Sequence, residues 1–133
     1  MSSDALPSRI ALVAGHADFA AGLVSAVEAI TGRGGQLVPI QVRGLCGEDI
    51  QSLLRDRLKA TGALVIFTDL QAGSCTMAAR RVLRDVPGSV LVAGVNLPML
   101  LDFVLSSDGD PVAPATAAAE RGRTAVSVHG GSA

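Results

Sequence analysis

Four apolar runs recur along the chain, and stretches of helical periodicity lie between them; this alternation restricts the fold more than any other feature. Arg9–Ala14 (R-I-A-L-V-A) is apolar almost throughout, as expected of a strand buried on both faces. Gln36–Val42, Ala63–Thr68 (A-L-V-I-F-T) and Ser89–Val95 (S-V-L-V-A-G-V) read as the second, third and fourth strands. Asp18–Thr31 reads as a helix, with Asp18 suited to the N-cap, Phe19, Leu23, Val27 and Ile30 on one face, and Gly32, Gly34 and Gly35 ending it. Glu48–Thr61 and Ser74–Asp85 read as further helices. A short one is expected over Leu97–Leu105, where Pro98 is tolerated in the first turn. After a polar, turn-rich linker (Ser106–Pro111), Ala113–Arg121 reads as an Ala-rich helix and Thr124–Val128 as a short alternating strand.

This order of elements predicts an α/β fold: an open, mostly parallel sheet with helices on both faces. A strand order of 2-1-3-4 sets the first and third strands side by side. The late, alternating last strand is expected as an antiparallel edge at the C-terminal end. A length of 133 residues fits one domain spanning 1–133, with flexible ends at 1–8 and 130–133.

A hydrophobic content of 49% with 17% charge excludes a disordered chain. No apolar run approaches the roughly 20 residues needed to span a bilayer. Met1–Pro7 is polar and has no apolar signal segment, so a cytoplasmic location without membrane insertion is expected. A net charge of −1 and an aromatic content of 2% give no basis for binding nucleic acid. Cys46 and Cys75 form no disulfide framework and show no metal-ligand spacing; no metal and no cofactor are expected. In a chain this small, low charge with high apolar content points to self-association.

Ligands of open parallel sheets bind at the carboxyl ends of strands, beside the point where strand order reverses. Two polar residues follow apolar strands there: His16, after Ala14-Gly15, and Asp69, after Phe67-Thr68. The 2-1-3-4 order brings them into one crevice. A carboxylate accepting a bond from Nδ1–H would leave the Nε2 lone pair of His16 free to attack, and would stabilise the cation formed on phosphorylation. The loop Ala72-Gly73-Ser74 enters the third helix, whose backbone N–H groups and positive end suit phosphate oxygens. Ser74 offers a further donor. The structural alternatives are a turn at Asp69, a helix cap at Ser74, a positive φ at Gly73 and an inert buried Cys75, although a thiol near a helix start can also have a lowered pKa. His129, near the tail, reads as structural or exposed.

Gly15-His16, Thr68-Asp69 with Gly73-Ser74, and above all Ala93-Gly94-Val95-Asn96-Leu97-Pro98-Met99-Leu100 resemble the mannose-type IIA component of the bacterial phosphoenolpyruvate-dependent sugar phosphotransferase system. The likeness runs from about Arg9 to Val128. It implies a phosphocarrier in which His16 takes a phosphoryl group on Nε2 from the histidine phosphocarrier protein HPr and passes it to a IIB protein. It also implies Asp69 as the orienting carboxylate, Gly73 and Ser74 as the phosphate-binding loop, and a homodimer that exchanges the C-terminal strand, here Thr124–Val128. The chain ends at Ala133, so the IIB acceptor is expected to be a separate protein. Four positions depart from the family pattern: Ala17 stands where the family often has Gly, Gln71-Ala72-Gly73 replaces an aromatic-Gly-Gly loop, and Cys75 replaces a Pro.

Other readings share parts of this pattern. The phosphocarrier subunit that feeds dihydroxyacetone kinase has the same fold and histidine. A hydrolase would use Ser74 or Cys75 with His16 as base, but A-G-S-C-T lacks the second Gly of a nucleophile elbow. A nucleotide-binding module is opposed by the absence of a phosphate-binding G-x-x-x-x-G-K-[ST] loop. A regulatory homologue that transfers nothing would differ only in failing to accept phosphate.

Overall fold

The computed structural model describes residues 9–107 and 109–132. Strands β1 (Ala11–Gly15), β2 (Leu37–Gln41), β3 (Val65–Thr68) and β4 (Val90–Ala93) form one sheet in the order β2-β1-β3-β4. Every pairing is parallel. The helices are α1 (Phe19–Thr31), α2 (Gly47–Thr61), α3 (Ser74–Leu83), α4 (Leu97–Leu105) and α5 (Val112–Thr124).

Alternation along the central strands builds two cores. Ala11 and Val13 of β1, with Val65 and Phe67 of β3, face α1, α4 and α5, where the Phe67 and Phe103 rings meet edge to face at 5.3 Å. Leu12, Ala14 and Ile66 face α2 and α3, against Ile50, Leu54, Ala79 and Val82. With a hydrophobic layer on each side, β1 and β3 are wholly buried, which explains their near-continuous apolar sequence. Pro39 sits in β2, an edge strand, where a missing N–H costs least.

Three expectations need correction. The sheet of the described residues has no antiparallel edge at its C-terminal end: Thr124 closes α5, and residues 125–132 carry no ladder. The alternation A-V-S-V needs a neighbouring strand edge to become a strand, and among the described residues none pairs with it, leaving Val126 and Val128 exposed. The second correction concerns α1, whose buried face is Ala20 and Val27 backed by Leu23 and Val24, with Phe19 and Ile30 outside it. Asp18 does occupy the N-cap position, but its side chain caps nothing and pairs instead with Arg43. The third is a matter of length, since α5 is a turn longer than its Ala-rich centre. The expected flexibility of residues 1–8, and of Ala133, lies outside the described residues. Among the described residues no helix is long and apolar enough to cross a membrane.

Candidate functional site

Ala14 of β1 pairs with Thr68 of β3, so the residues that follow each strand leave the sheet next to one another. Gly15 makes their close approach possible. A Cβ there would stand 3.2 Å from Asp69 Oδ2 and 2.7 Å from the Phe19 ring. The chain then turns sharply. Ala17 has φ +49°, the one non-glycine residue in the left-handed region among those described, and the Phe19 N–H closes the turn on the His16 carbonyl. For an L-residue that conformation costs roughly 1–2 kcal/mol.

Asp69 Oδ2 accepts two hydrogen bonds from His16, one from the backbone N–H at 2.9 Å and one from Nδ1–H at 2.7 Å. An ionised carboxylate only accepts, so the proton must lie on Nδ1, and in the neutral ring Nε2 carries the lone pair. The imidazole is 53% exposed, whereas the Asp69 side chain is only 8% exposed. Burial pushes the Asp69 carboxyl up, but the two hydrogen bonds and the charge of His16 outweigh it and hold the group below its ordinary 3.8. The second oxygen, Oδ1, is buried without a hydrogen-bond partner among the described residues.

Helix α3 starts directly beneath the ring: a Cβ on Gly73 would lie 3.4 Å from His16 Cε1 and 3.3 Å from Leu70 Cβ. Gly73 has φ −80°, so close approach, not a left-handed turn, explains the glycine. Ser74 is exposed and caps nothing. The loop is pinned from behind. Thr76 Oγ1 donates to the Leu70 carbonyl, which uses its only proton, so the buried Thr68 hydroxyl donates to Thr76 at 2.6 Å. Cys75 is fully buried, and burial with the nearby Asp69 carboxylate pushes its thiol up to about 11. The helix start therefore does not activate it.

The structure thus brings together His16, Asp69 and Gly73, with Ser74 one residue beyond. His129 lies elsewhere, exposed in the tail beside Ser127. The A-G-V-N-L-P-M-L stretch does not supply a reacting group. Gly94 and Val95 N–H groups both donate to the Thr68 carbonyl, fixing the strand end that carries Asp69. Asn96 caps α4 through Met99 N–H and donates to the Gly122 carbonyl of α5. Sequence reasoning missed two features of the site: the left-handed backbone at Ala17, and the exposure of Phe19 and Leu70, close in sequence to His16 and Asp69. A cleft of about 380 Å³ between α2 and α3 is lined by Cys46, Gln51, Ser74, Met77 and Arg81, and neither His16 nor Asp69 reaches it. The histidine instead stands on an open surface.

The family model described as "PTS system fructose IIA component" matches residues 11–119. The mannose-specific EIIAB component of the phosphotransferase system from Escherichia coli (strain K12) is 31% identical over 71 residues, 49% of this chain. The chain spans 22% of the length of that relative. Among solved structures, the mannose/sorbose-specific IIA subunit from Enterococcus faecalis superposes with a TM-score of 0.77 at 20% identity, covering 93% of this chain and 96% of that one. The phosphotransferase component EIIA from Streptococcus agalactiae gives 0.71 at 22% identity, covering 85% and 93%.

Proposed function

The chain belongs to the IIA component family of the mannose/fructose/sorbose type of the sugar phosphotransferase system, and from that premise we propose that it carries a phosphoryl group on His16 Nε2. The observation that carries the reading is the pair of bonds from His16 to one buried carboxylate oxygen. They fix the ring and its tautomer before any donor arrives, so the lone pair needs no reorganisation to attack.

In the forward step the Nε2 lone pair attacks the phosphorus of a donor phosphohistidine, the donor N–P bond breaks, and its electrons return to the donor ring. The new N–P bond leaves a cationic imidazolium on His16, and the Asp69 carboxylate stabilises it through Nδ1–H. In this reading the unpaired N–H groups of the first turn of α3, beyond Gly73, and the Ser74 hydroxyl supply donors for the phosphoryl oxygens. The reverse sequence hands the group to the acceptor. An exposed ring, with Phe19 and Leu70 also exposed on the loops that carry His16 and Asp69, suits a donor and acceptor that are themselves proteins. HPr is the proposed donor and a IIB protein the proposed acceptor. Homodimer formation belongs to the same reading, supported by exposed Ile30, Leu105, Val126 and Val128 and tested by light scattering.

Incubation with phosphoenolpyruvate, enzyme I and HPr, followed by intact-mass measurement and site mapping, tests the proposal. One phosphoryl group should appear on His16, acid-labile and alkali-stable, absent in His16→Ala and retained in His129→Ala. Label on Ser74, or none in the wild-type protein, would rule the carrier out.

A further inference from the structure

Two side chains flanking the β3–α3 loop and one that lies 53 residues before Asp69 in sequence offer one ligand atom each within 4.8 Å of one another: an Asp69 carboxylate oxygen, Cys75 Sγ and a His16 ring nitrogen. We propose that this trio is a binding site for a thiophilic divalent cation of the zinc class, whose occupancy excludes a phosphoryl group from His16. The metal site goes beyond the carrier reading and does not depend on His16 being phosphorylated; only the competition with a phosphoryl group rests on that reading.

The donor set favours such an ion. Imidazole, carboxylate and thiolate together match Zn²⁺, whereas Mg²⁺ and Ca²⁺ call for oxygen ligands throughout. At the observed spacing, movements of less than about 1 Å bring all three donors to the roughly 2.0–2.3 Å of zinc bonds. Asp69 Oδ1 is buried and has no hydrogen-bond partner among the described residues, so a coordination bond there displaces no existing contact. Asp69 and Cys75 are held by packing, while the His16 ring is open to solvent and gives the ion an entry path. Three protein ligands leave a fourth position for water.

Loading balances as an exchange. The Cys75 S–H bond breaks, a Zn–S bond forms, and the proton passes to the buffer. The imidazole binds the metal through Nδ1, whose proton passes by way of solvent to Nε2. The Zn–N bond replaces the N–H bond to Asp69 Oδ2, and with Nε2 protonated the ring has no lone pair left for phosphorus. Metal and phosphoryl group therefore compete for the same two residues, and Cys75 decides which chemistry the pocket can also accept.

The test uses the full chain without an affinity tag, under a phosphine reductant, with Co²⁺ as the spectroscopic probe and Zn²⁺ as competitor. The Cys46→Ser protein, which lacks the exposed thiol, should bind one Co²⁺ with a thiolate-to-cobalt charge-transfer band and the intense visible bands of tetrahedral coordination; Zn²⁺ should erase both. In that background Cys75→Ser and Cys75→Val should abolish the charge-transfer band while keeping a wild-type circular dichroism spectrum. Two variants guard against loss of the fold at this buried position. His16→Ala should weaken Zn²⁺ binding about 100-fold or more, since even outer-shell partners are worth roughly 10–100-fold. Absence of the band in Cys46→Ser, or its survival in a folded Cys75 variant, overturns the site. These readouts contain no phosphoryl donor, so failure of the metal site and failure of the carrier reading are seen separately. Where both hold, Zn²⁺ should slow phosphorylation of the wild-type protein and leave Cys75→Ser unaffected.

Discussion

The loops around His16 and the joint around Asn96 stand at the same end of the sheet, yet they are built in opposite ways. At the first, an exposed ring is held by a single carboxylate, the backbone is bent into a left-handed turn, and one carboxylate oxygen is left over. At the second, Asn96 spends its amide on two partners, and Gly122 packs so closely that a Cβ would meet Asn96 Oδ1 and Met99 Cε at 2.8 Å. The most family-like stretch of sequence therefore holds the protein together, and the departures from the family pattern gather where chemistry is expected. Identity of family and identity of mechanism are written in different places.

The comparison breaks most visibly at Asp69. Asn there can still hydrogen-bond, but it carries no charge and can present NH₂ to Nδ1, which reverses the tautomer. Phosphoryl transfer by Asp69→Asn should fall by about 100-fold or more, in line with other misoriented histidines, which lose up to roughly 10⁴-fold, and the fold should survive. Nitrogen-15 NMR of the His16 ring shows the tautomer directly. Normal transfer rates with an unchanged ring tautomer would dissolve the proposed pair.

Asn96→Ala should do the converse. It removes the cap of α4 and leaves the Gly122 carbonyl unmatched, a loss of about 2–3 kcal/mol in denaturant unfolding. Transfer by the remaining folded protein should stay within about twofold of wild type, an estimate consistent with Asn96 being a scaffold residue outside the reacting groups. A large rate defect at unchanged stability would move Asn96 into the site.

Acid separates the two regions in another way. The Asp69 carboxyl is held below its ordinary value, so its contribution to stability is fully present above the unfolded pKa near 3.8 and is lost as pH falls through the lower folded value. The stability gap between wild type and Asp69→Asn should therefore close on acidification below that point, while the gap for Asn96→Ala should stay level. Urea titrations across pH would check both slopes.

The smallest expected effect is at Ala17. Glycine relieves the left-handed penalty at φ +49° but adds freedom to the unfolded chain, so Ala17→Gly should gain about 0.5–1 kcal/mol. A loss of stability would mean that the alanine methyl packs in the turn.

Much of the fold was readable because burial on both faces writes itself as unbroken apolar runs. The strands and the two layers follow from that pattern. The order 2-1-3-4, which apolar runs do not dictate, was assumed; the structure has it and with it the meeting of His16 and Asp69, while α4 spans the residues expected of it. Thr124–Val128 misled because alternation records a preference for an edge, not the presence of one. The face of α1 misled because Phe19 and Ile30 share helical spacing with buried residues but lie beyond the core's rim. Cys75 shows no metal-ligand spacing in sequence, since His16 reaches it only through the β1–β3 pairing.

That pairing also fixes when the site can exist during folding. His16 and Asp69 are 53 residues apart, and their contact closes only after β2, α1 and α2 have been looped out between two parallel strands. Such non-local closure is entropically expensive and comes late in folding. A slip of one residue in the register Ala14↔Thr68 would carry Asp69 about 3.3 Å along the strand, well out of hydrogen-bond reach, and turn it to the other face. A nascent or misregistered chain therefore presents an imidazole with no partner, and under the proposed carrier role competence to take up a phosphoryl group would report that the sheet has zipped correctly.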